Sequence, residues 1–211
     1  MTHIAAVLTG DLIASTQAGQ GAVDGTMEVI EGIANHEAQI SGLDIRFARF
    51  RGDGWQMYCP TATKTFRLTL LVLANLRSRP DLAQTRLAVA VGGVSALPQA
   101  GLASANGEAF TMSGRELDRM TTEQLVFFSP EADAKWQRPL FSYLDWQSSR
   151  WSPQQAEAVA LAFHKTPARR QDVASALGIS RQAAQARLNG AGFEPLLDAD
   201  IAFHQIGWVK E

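Results

Sequence analysis

The apolar residues between positions 4 and 91 switch period in one fixed order, and that order limits the fold more than any other feature of the chain. Residues 4–8 (IAAVL) form a short apolar run closed by Thr-Gly-Asp, which reads as a buried strand delivering Asp11 at its C-terminal end. Val23, Met27, Ile30, Ile33 and Ala34 then recur at the spacing of one helix face, as far as Ser41-Gly42. Ile45, Phe47 and Trp55, Met57 flank Arg51-Gly52-Asp53-Gly54, whose Asp and Gly supply the backbone angles of a tight turn, so Asp53 is expected at a hairpin tip. A second helix is read over residues 65–78, with Phe66, Leu70, Leu73 and Arg77 along one side and Pro80 forbidding continuation. Leu87, Val89 and Val91 alternate before Gly92-Gly93. Strand, helix, strand, strand, helix, strand is the order of the ferredoxin-like (βαββαβ) unit, an α+β fold whose helices cover one face of an antiparallel sheet.

Beyond this unit come a Gly- and Ala-rich loop, a short helix over residues 111–120, and apolar runs at 125–128 and 140–144 that are expected to extend the sheet. From Ser152 the text becomes helical, which places a sheet domain at residues 1–147 and a small all-α domain at 151–211, winged-helix or sigma-like in type. A length of 211 residues suits one ordinary domain plus a small one. The net charge of -2 gives no chain-wide attraction to polyanions, so any nucleic-acid surface must be local. One cysteine, Cys59, cannot form an intramolecular disulfide, and the chain carries neither a secretion signal nor a membrane-length apolar run; a cytoplasmic location with no membrane contact is expected. The histidines, His3, His36, His164 and His204, are scattered along the chain and read as isolated groups, not zinc ligands. Gly19-Gln20-Gly21 with Gly25 lacks both the dinucleotide spacing and the P-loop ending, and reads as a flexible connection.

Four segments, in order, resemble the class III nucleotidyl cyclase family: Asp11-Leu12-Ile13-Ala14-Ser15-Thr16; Arg51-Gly52-Asp53-Gly54; Arg86-Leu87-Ala88-Val89-Ala90-Val91-Gly92; and Gly107 through Arg115. The resemblance implies that Asp11 and Asp53, with Leu12 beside them, hold Mg²⁺ or Mn²⁺, and that Ser15, Thr16, Arg51 and Ser104 lie against a nucleotide. It places Thr111 where the family has a transition-state Asn and Arg115 where it has a transition-state Arg. Two hard cations about 3.5–4 Å apart activate a hydroxyl and neutralise a departing pyrophosphate, which is why such chemistry needs two carboxylates. The family's purine-reading Lys and Asp fall near Phe47 and Ser104, so no base preference follows. In that family the metals sit on one chain and the Asn and Arg on another, which implies a homodimer. Plainer roles exist for each residue: Asp11 as a loop cap, Asp53 as a turn residue, Thr111 as a helix cap, and Arg115 pairing with Glu116 or Asp118.

In the C-terminal part, Ser152-Pro153 starts a helix with an Ala156, Val159, Ala160, Phe163 stripe; a second helix follows over 167–177, Gly178 turns, and Ser180 caps a third. Small Ala174 permits close approach, and Val173, Leu177, Ile179 and Leu188 pack inward, so the segment resembles a helix-turn-helix. Ser180, Arg181, Gln182 and Gln185, with Arg170 and Arg187 nearby, are the candidate DNA contacts, against a plainer role as a protein-interaction module. The whole chain is similar to the SatD-type proteins. Three functions follow in order: a DNA-binding regulator with a nucleotide- or phosphate-sensing domain, an active cyclase with a DNA-targeting tail, and a dimerisation scaffold.

Overall fold

The computed structural model describes residues 3–50, 52–130, 135–165 and 169–208. Strand β1 (His3–Leu12) lies at the centre of the sheet, antiparallel to β3 (Gly54–Cys59) on one side and to β4 (Thr85–Ala96) on the other. Strand β2 (Arg46–Phe50) pairs outside β3, giving the order β2-β3-β1-β4 required of a ferredoxin-like unit. Two further strands share the outer edge of β4: β5 (Asn106–Gly107) runs antiparallel near its end, and β6 (Leu125–Phe128) runs parallel beside residues 87–90.

Period-two alternation divides β1 cleanly. Ala6, Leu8 and Leu12 face a core completed by α2 (Gln20–Ser41) and α3 (Thr65–Arg77). Ala5 and Val7 face the opposite way, onto Tyr58, Val94 and the Ala109 and Phe110 side chains of α4 (Glu108–Arg119). A Thr9 to Ser113 hydrogen bond of 2.7 Å fixes α4 on that face. Before α2 comes a single turn, α1 (Ser15–Ala18), and before α3 a 3-10 turn, Ala62–Lys64.

Several expectations need correction. The apolar run at 140–144 is not a strand; it belongs to α5 (Gln137–Ser148), which buries Phe141 and Leu144, three positions apart on one helix face. Short apolar runs carry no period of their own, and here the helix spacing prevailed. Gly21 and Gly25 are not in a flexible connection but inside α2, where a methyl group on Gly25 would press on the end of the Leu82 side chain. The helix expected at 111–120 begins earlier, at Glu108.

The C-terminal region consists of α6 (Pro153–Phe163), α7 (Gln171–Leu177), α8 (Arg181–Ala191) and α9 (Phe193–His204). Ser152 caps α6 in a full capping box with Gln155, and Pro153 occupies the first turn, as the sequence signals. These helices share one core with the sheet's α2–α3 side: Ala158, Val159, Phe163, Leu188 and Phe203 belong to the same buried cluster as Leu8, Phe66 and Val89. The ring of Phe66 stands edge-on to Phe141 at 5.9 Å, and Phe127 to Phe203 at 6.0 Å. Deep between α3 and α9, Arg67 pairs with Asp200, its Nε 3.1 Å from Oδ2, and its Nη1 donates to the Lys165 carbonyl oxygen at 3.0 Å. Both charged side chains are almost wholly buried.

Removing one partner from such a pair strands the other charge away from water. Asp200→Ala is expected to cost about 3–5 kcal/mol in urea unfolding, whereas joint replacement by Arg67→Met and Asp200→Leu recovers most of the loss. A cost for Asp200→Ala below about 1 kcal/mol would mean that the pair is solvated.

Candidate functional site

The C-terminal end of β1 is fixed by an interaction across three strands. On β3 the buried indole of Trp55 lies over Gly10, and its Nε1 donates to Thr85 Oγ1 of β4 at 3.0 Å. Thr85 Oγ1 in turn lies 2.8 Å from the Asp11 carbonyl oxygen, to which it donates. Gly10 is required by this stacking, because a Cβ there would sit 2.5 Å from the indole ring. The Thr-Gly-Asp sequence therefore has a packing reason as well as a turn reason.

Asp11, held in this way, is opposite Gly54 on β3 and Arg86 on β4. Its carboxylate is taken by the Arg86 fork, with Nε 2.9 Å from Oδ1 and Nη2 on Oδ2. The hydrogen bond to Asp11 raises the Arg86 pKa above its ordinary value, against the opposing effect of burial. About a third of each side chain is open, 30% for Asp11 and 37% for Arg86, so the corner is reachable by a ligand. Asp53 sits in the β2–β3 turn as expected, next to Gly54, and its carbonyl oxygen accepts from Leu12 N at 3.2 Å. Its carboxylate accepts from Ser15 Oγ at 2.7 Å, which ties the hairpin to the start of α1. Ala14, between them, adopts the left-handed conformation at φ 52°, ψ 35°, a strain of about 1 kcal/mol for a non-glycine residue.

Asp11, Asp53 and Ser15 thus gather at one corner, and Thr16 is exposed beside them. Arg51 lies outside the described residues. Ser104 is exposed in the loop before β5. Thr111 and Arg115 are not turned toward the aspartates of their own chain; α4 gives Ser113 and Leu117 to the sheet and leaves Thr111 and Arg115 on its outer face. The plainer readings of those two residues fare differently: Arg115 is exposed to solvent, as a surface charge would be. Gly107, not Thr111, is the cap of α4, and Glu116 pairs with Arg119, not with Arg115. Arg86 is the residue of this corner that the sequence does not single out: it appears there only as part of a strand pattern, because a one-dimensional reading does not give its partner across the sheet.

The donor chemistry fits a divalent cation. Two carboxylates offer the hard oxygens that Mg²⁺ or Mn²⁺ takes, and such ions ordinarily complete their octahedron with waters and phosphate oxygens. Among the described residues no group of three or more His, Cys, Asp or Glu side chains converges to form an all-protein cage.

In the C-terminal region, Gly178 adopts the left-handed turn conformation and Ser180 caps α8 by accepting from Ala183 N at 3.1 Å. Arg181 and Gln182 are exposed at the start of α8. Arg170 is engaged by Glu194 and by Gln185, whose Oε1 it reaches at 3.0 Å, and Arg187 pairs with Glu157 at 3.2 Å. No helix of the described residues is long and apolar enough to cross a membrane.

No protein-family model and no curated protein matches the chain. Solved structures do. A bacterial light-regulated adenylyl cyclase is 17% identical over 60% of this chain and 76% of that one, with a TM-score of 0.43. The guanylyl cyclase Cya2 is 16% identical over 60% and 75%, with a TM-score of 0.43. An adenylate/guanylate cyclase/hydrolase from Silicibacter pomeroyi is 17% identical over 60% and 76%, with a TM-score of 0.44. The likeness is distant, and it is to cyclases. The ferredoxin-like assignment stands on the strand order and register of this chain.

The clasp at Gly10 can be tested by adding one methyl group. Gly10→Ala forces the indole off Thr85 and is expected to cost about 1–3 kcal/mol in urea unfolding. An unchanged midpoint would remove Trp55 from its role in positioning Asp11.

Proposed function

We propose that the protein is a DNA-binding regulator whose sheet region takes a phosphate-bearing ligand together with Mg²⁺ or Mn²⁺ at the Asp11 end of β1. One observation carries this reading: Asp11 and Arg86 face each other on the two central strands, beside the Asp53 turn. Oxygens for a cation and a guanidinium fork for a phosphate therefore share one open corner. A bound divalent cation supplies charge neutralisation to phosphate oxygens. Asp11 and Asp53 would hold it, with Leu12 beside them, and Ser15 keeps the Asp53 carboxylate oriented through its hydrogen bond. Arg86 exchanges its carboxylate partner for the ligand's phosphate, since both present oxygen pairs to the same fork. Phe47 packs toward the helix-covered core and Ser104 carries only a hydroxyl, so neither supplies the Lys or Asp contact of a purine-selective site.

DNA docking through α7 and α8 is supported by the Gly178 turn, the Ser180 cap and the exposed Arg181 and Gln182 at the N-terminal end of α8. Arg170, Gln185 and Arg187 stand behind these, engaged within the chain. The SatD-type likeness of the whole architecture belongs to the same reading. A second reading, nucleotidyl cyclisation by a homodimer, is favoured by Arg115, which is exposed and makes no hydrogen bond or ion pair among the described residues. In that arrangement Thr111 and Arg115 of one copy meet Asp11 and Asp53 of the other, and Thr111 offers one hydroxyl where an amide would serve better, so turnover is slow.

Thermal melts of wild type and Asp53→Ala with Mn²⁺ and ATP or GTP test the ligand site. A ligand at one hundred times its Kd stabilises the native state by about 2.7 kcal/mol, a rise of roughly 5–10 °C for a chain of this size. The rise is expected in wild type and lost in Asp53→Ala; its absence from wild type with every triphosphate would leave only a scaffold. Chromatography of the same mixtures shows a cyclic product only if the second reading holds. A salt-dependent gel shift that Arg181→Ala abolishes is expected for the C-terminal region, and unchanged binding would remove Arg181 from the interface.

A further inference from the structure

His36, His164 and His204, far apart in sequence and read there as isolated, converge on one cleft of about 590 Å³. Lys64, Lys165 and Arg169 line it as well, and among the described residues no carboxylate does. The walls come from α2, the 3-10 turn, His164, Lys165 and Arg169 beyond α6, and the end of α9, so the cleft joins the sheet region to the C-terminal helices. The rings of His36 and His164 are stacked, with centroids 3.9 Å apart and planes within 10°. His36 Nε2 lies 3.2 Å from the His164 carbonyl oxygen, to which it donates, which holds the His36 ring in place.

Nearby acids each face a cation, although the second oxygen of Glu37 is buried without a hydrogen bond among the described residues. Glu37 pairs with Lys64 at 2.9 Å, Asp172 with Lys165 at 2.9 Å, and Asp200 with Arg67. The guanidinium of Arg169 and the ring of His204 make no hydrogen bond or ion pair among the described residues, so donors are left over on the cleft wall. Burial, and then the His36 ring beside it, hold the His164 pKa below its ordinary value, with Glu37 acting the other way.

We propose that this cleft is a second ligand site, distinct from the aspartate corner, that takes a small phosphate-bearing anion between the three histidines and Arg169. Its volume lies within the range of small-molecule sites, and its concave shape suits a compact ligand better than the rod of a DNA duplex. An occupant touches both regions of the chain, so its binding is linked to their packing.

The test is a titration of the full chain, ¹³C-labelled at histidine, with inorganic pyrophosphate in EDTA at constant ionic strength, read by ¹H–¹³C NMR. His36, His164 and His204 are expected to shift together and saturate at about millimolar concentration. His3, hydrogen-bonded to Tyr58 OH at 2.8 Å on the α4 side of the sheet, serves as the unmoved control. Arg169→Ala, an exposed change, is expected to weaken binding about tenfold. Asp53→Asn is expected to leave it unchanged, which separates this site from the metal-dependent one. The absence of a saturable shift, an equal shift of His3, or full affinity in Arg169→Ala would overturn the proposal. So would loss of binding in Asp53→Asn, or duplex DNA moving the same three resonances more tightly than pyrophosphate.

Discussion

The Trp55 indole, laid across Gly10 and hydrogen-bonded to Thr85, locks β3, β1 and β4 into one register at the end of the sheet where the charged residues lie. A slip of one residue in β1 would turn Asp11 into the helix-packed core and expose Leu12, because strand side chains alternate strictly. The hydrophobic face and the candidate site are therefore specified by the same contact. Asp11 meets Arg86 because Leu8 and Leu12 are buried, and those are buried because Gly10 admits the indole between them.

The helical region stabilises this frame from behind. Phe66 and Arg67 of α3 each turn toward C-terminal elements, one into an aromatic cluster with Phe141 and Phe203, the other into the pair with Asp200. The sheet and the α6–α9 helices thus share a core, not only a linker, and a ligand-driven shift in α2 or α3 would be felt directly by α6 and α9. Cys59 is part of that shared interior; burial pushes its thiol up to about 11, which leaves it unreactive on the inner face of β3.

Much of the βαββαβ order was legible because each element carries its own period or punctuation: the Val23 to Ala34 helix face, the Gly52-Asp53 turn, the stop at Pro80 and the Ser152-Pro153 cap. Short apolar runs were ambiguous: 4–8 and 125–128 form strands as read, whereas 140–144 was read as strand where Phe141 and Leu144 follow a helix. At the candidate site, Asp11 at the end of a strand and Asp53 in a hairpin turn were legible, whereas the Arg86 partnership was hidden, since it depends on which strands are neighbours. Convergence of His36, His164 and His204 was hidden for the same reason. The need for glycine at position 10 was invisible too, because it arises from the Trp55 ring rather than from local backbone angles.

The proposed function requires one cation to touch both Asp11 and Asp53, with Arg86 turning from Asp11 to an anion. Anomalous scattering from crystals grown with Mn²⁺ and pyrophosphate addresses this directly. A manganese peak between the two carboxylates, with the Arg86 guanidinium moved from Asp11 onto the pyrophosphate, is the predicted result. Manganese bound elsewhere while Arg86 stays on Asp11 would contradict it.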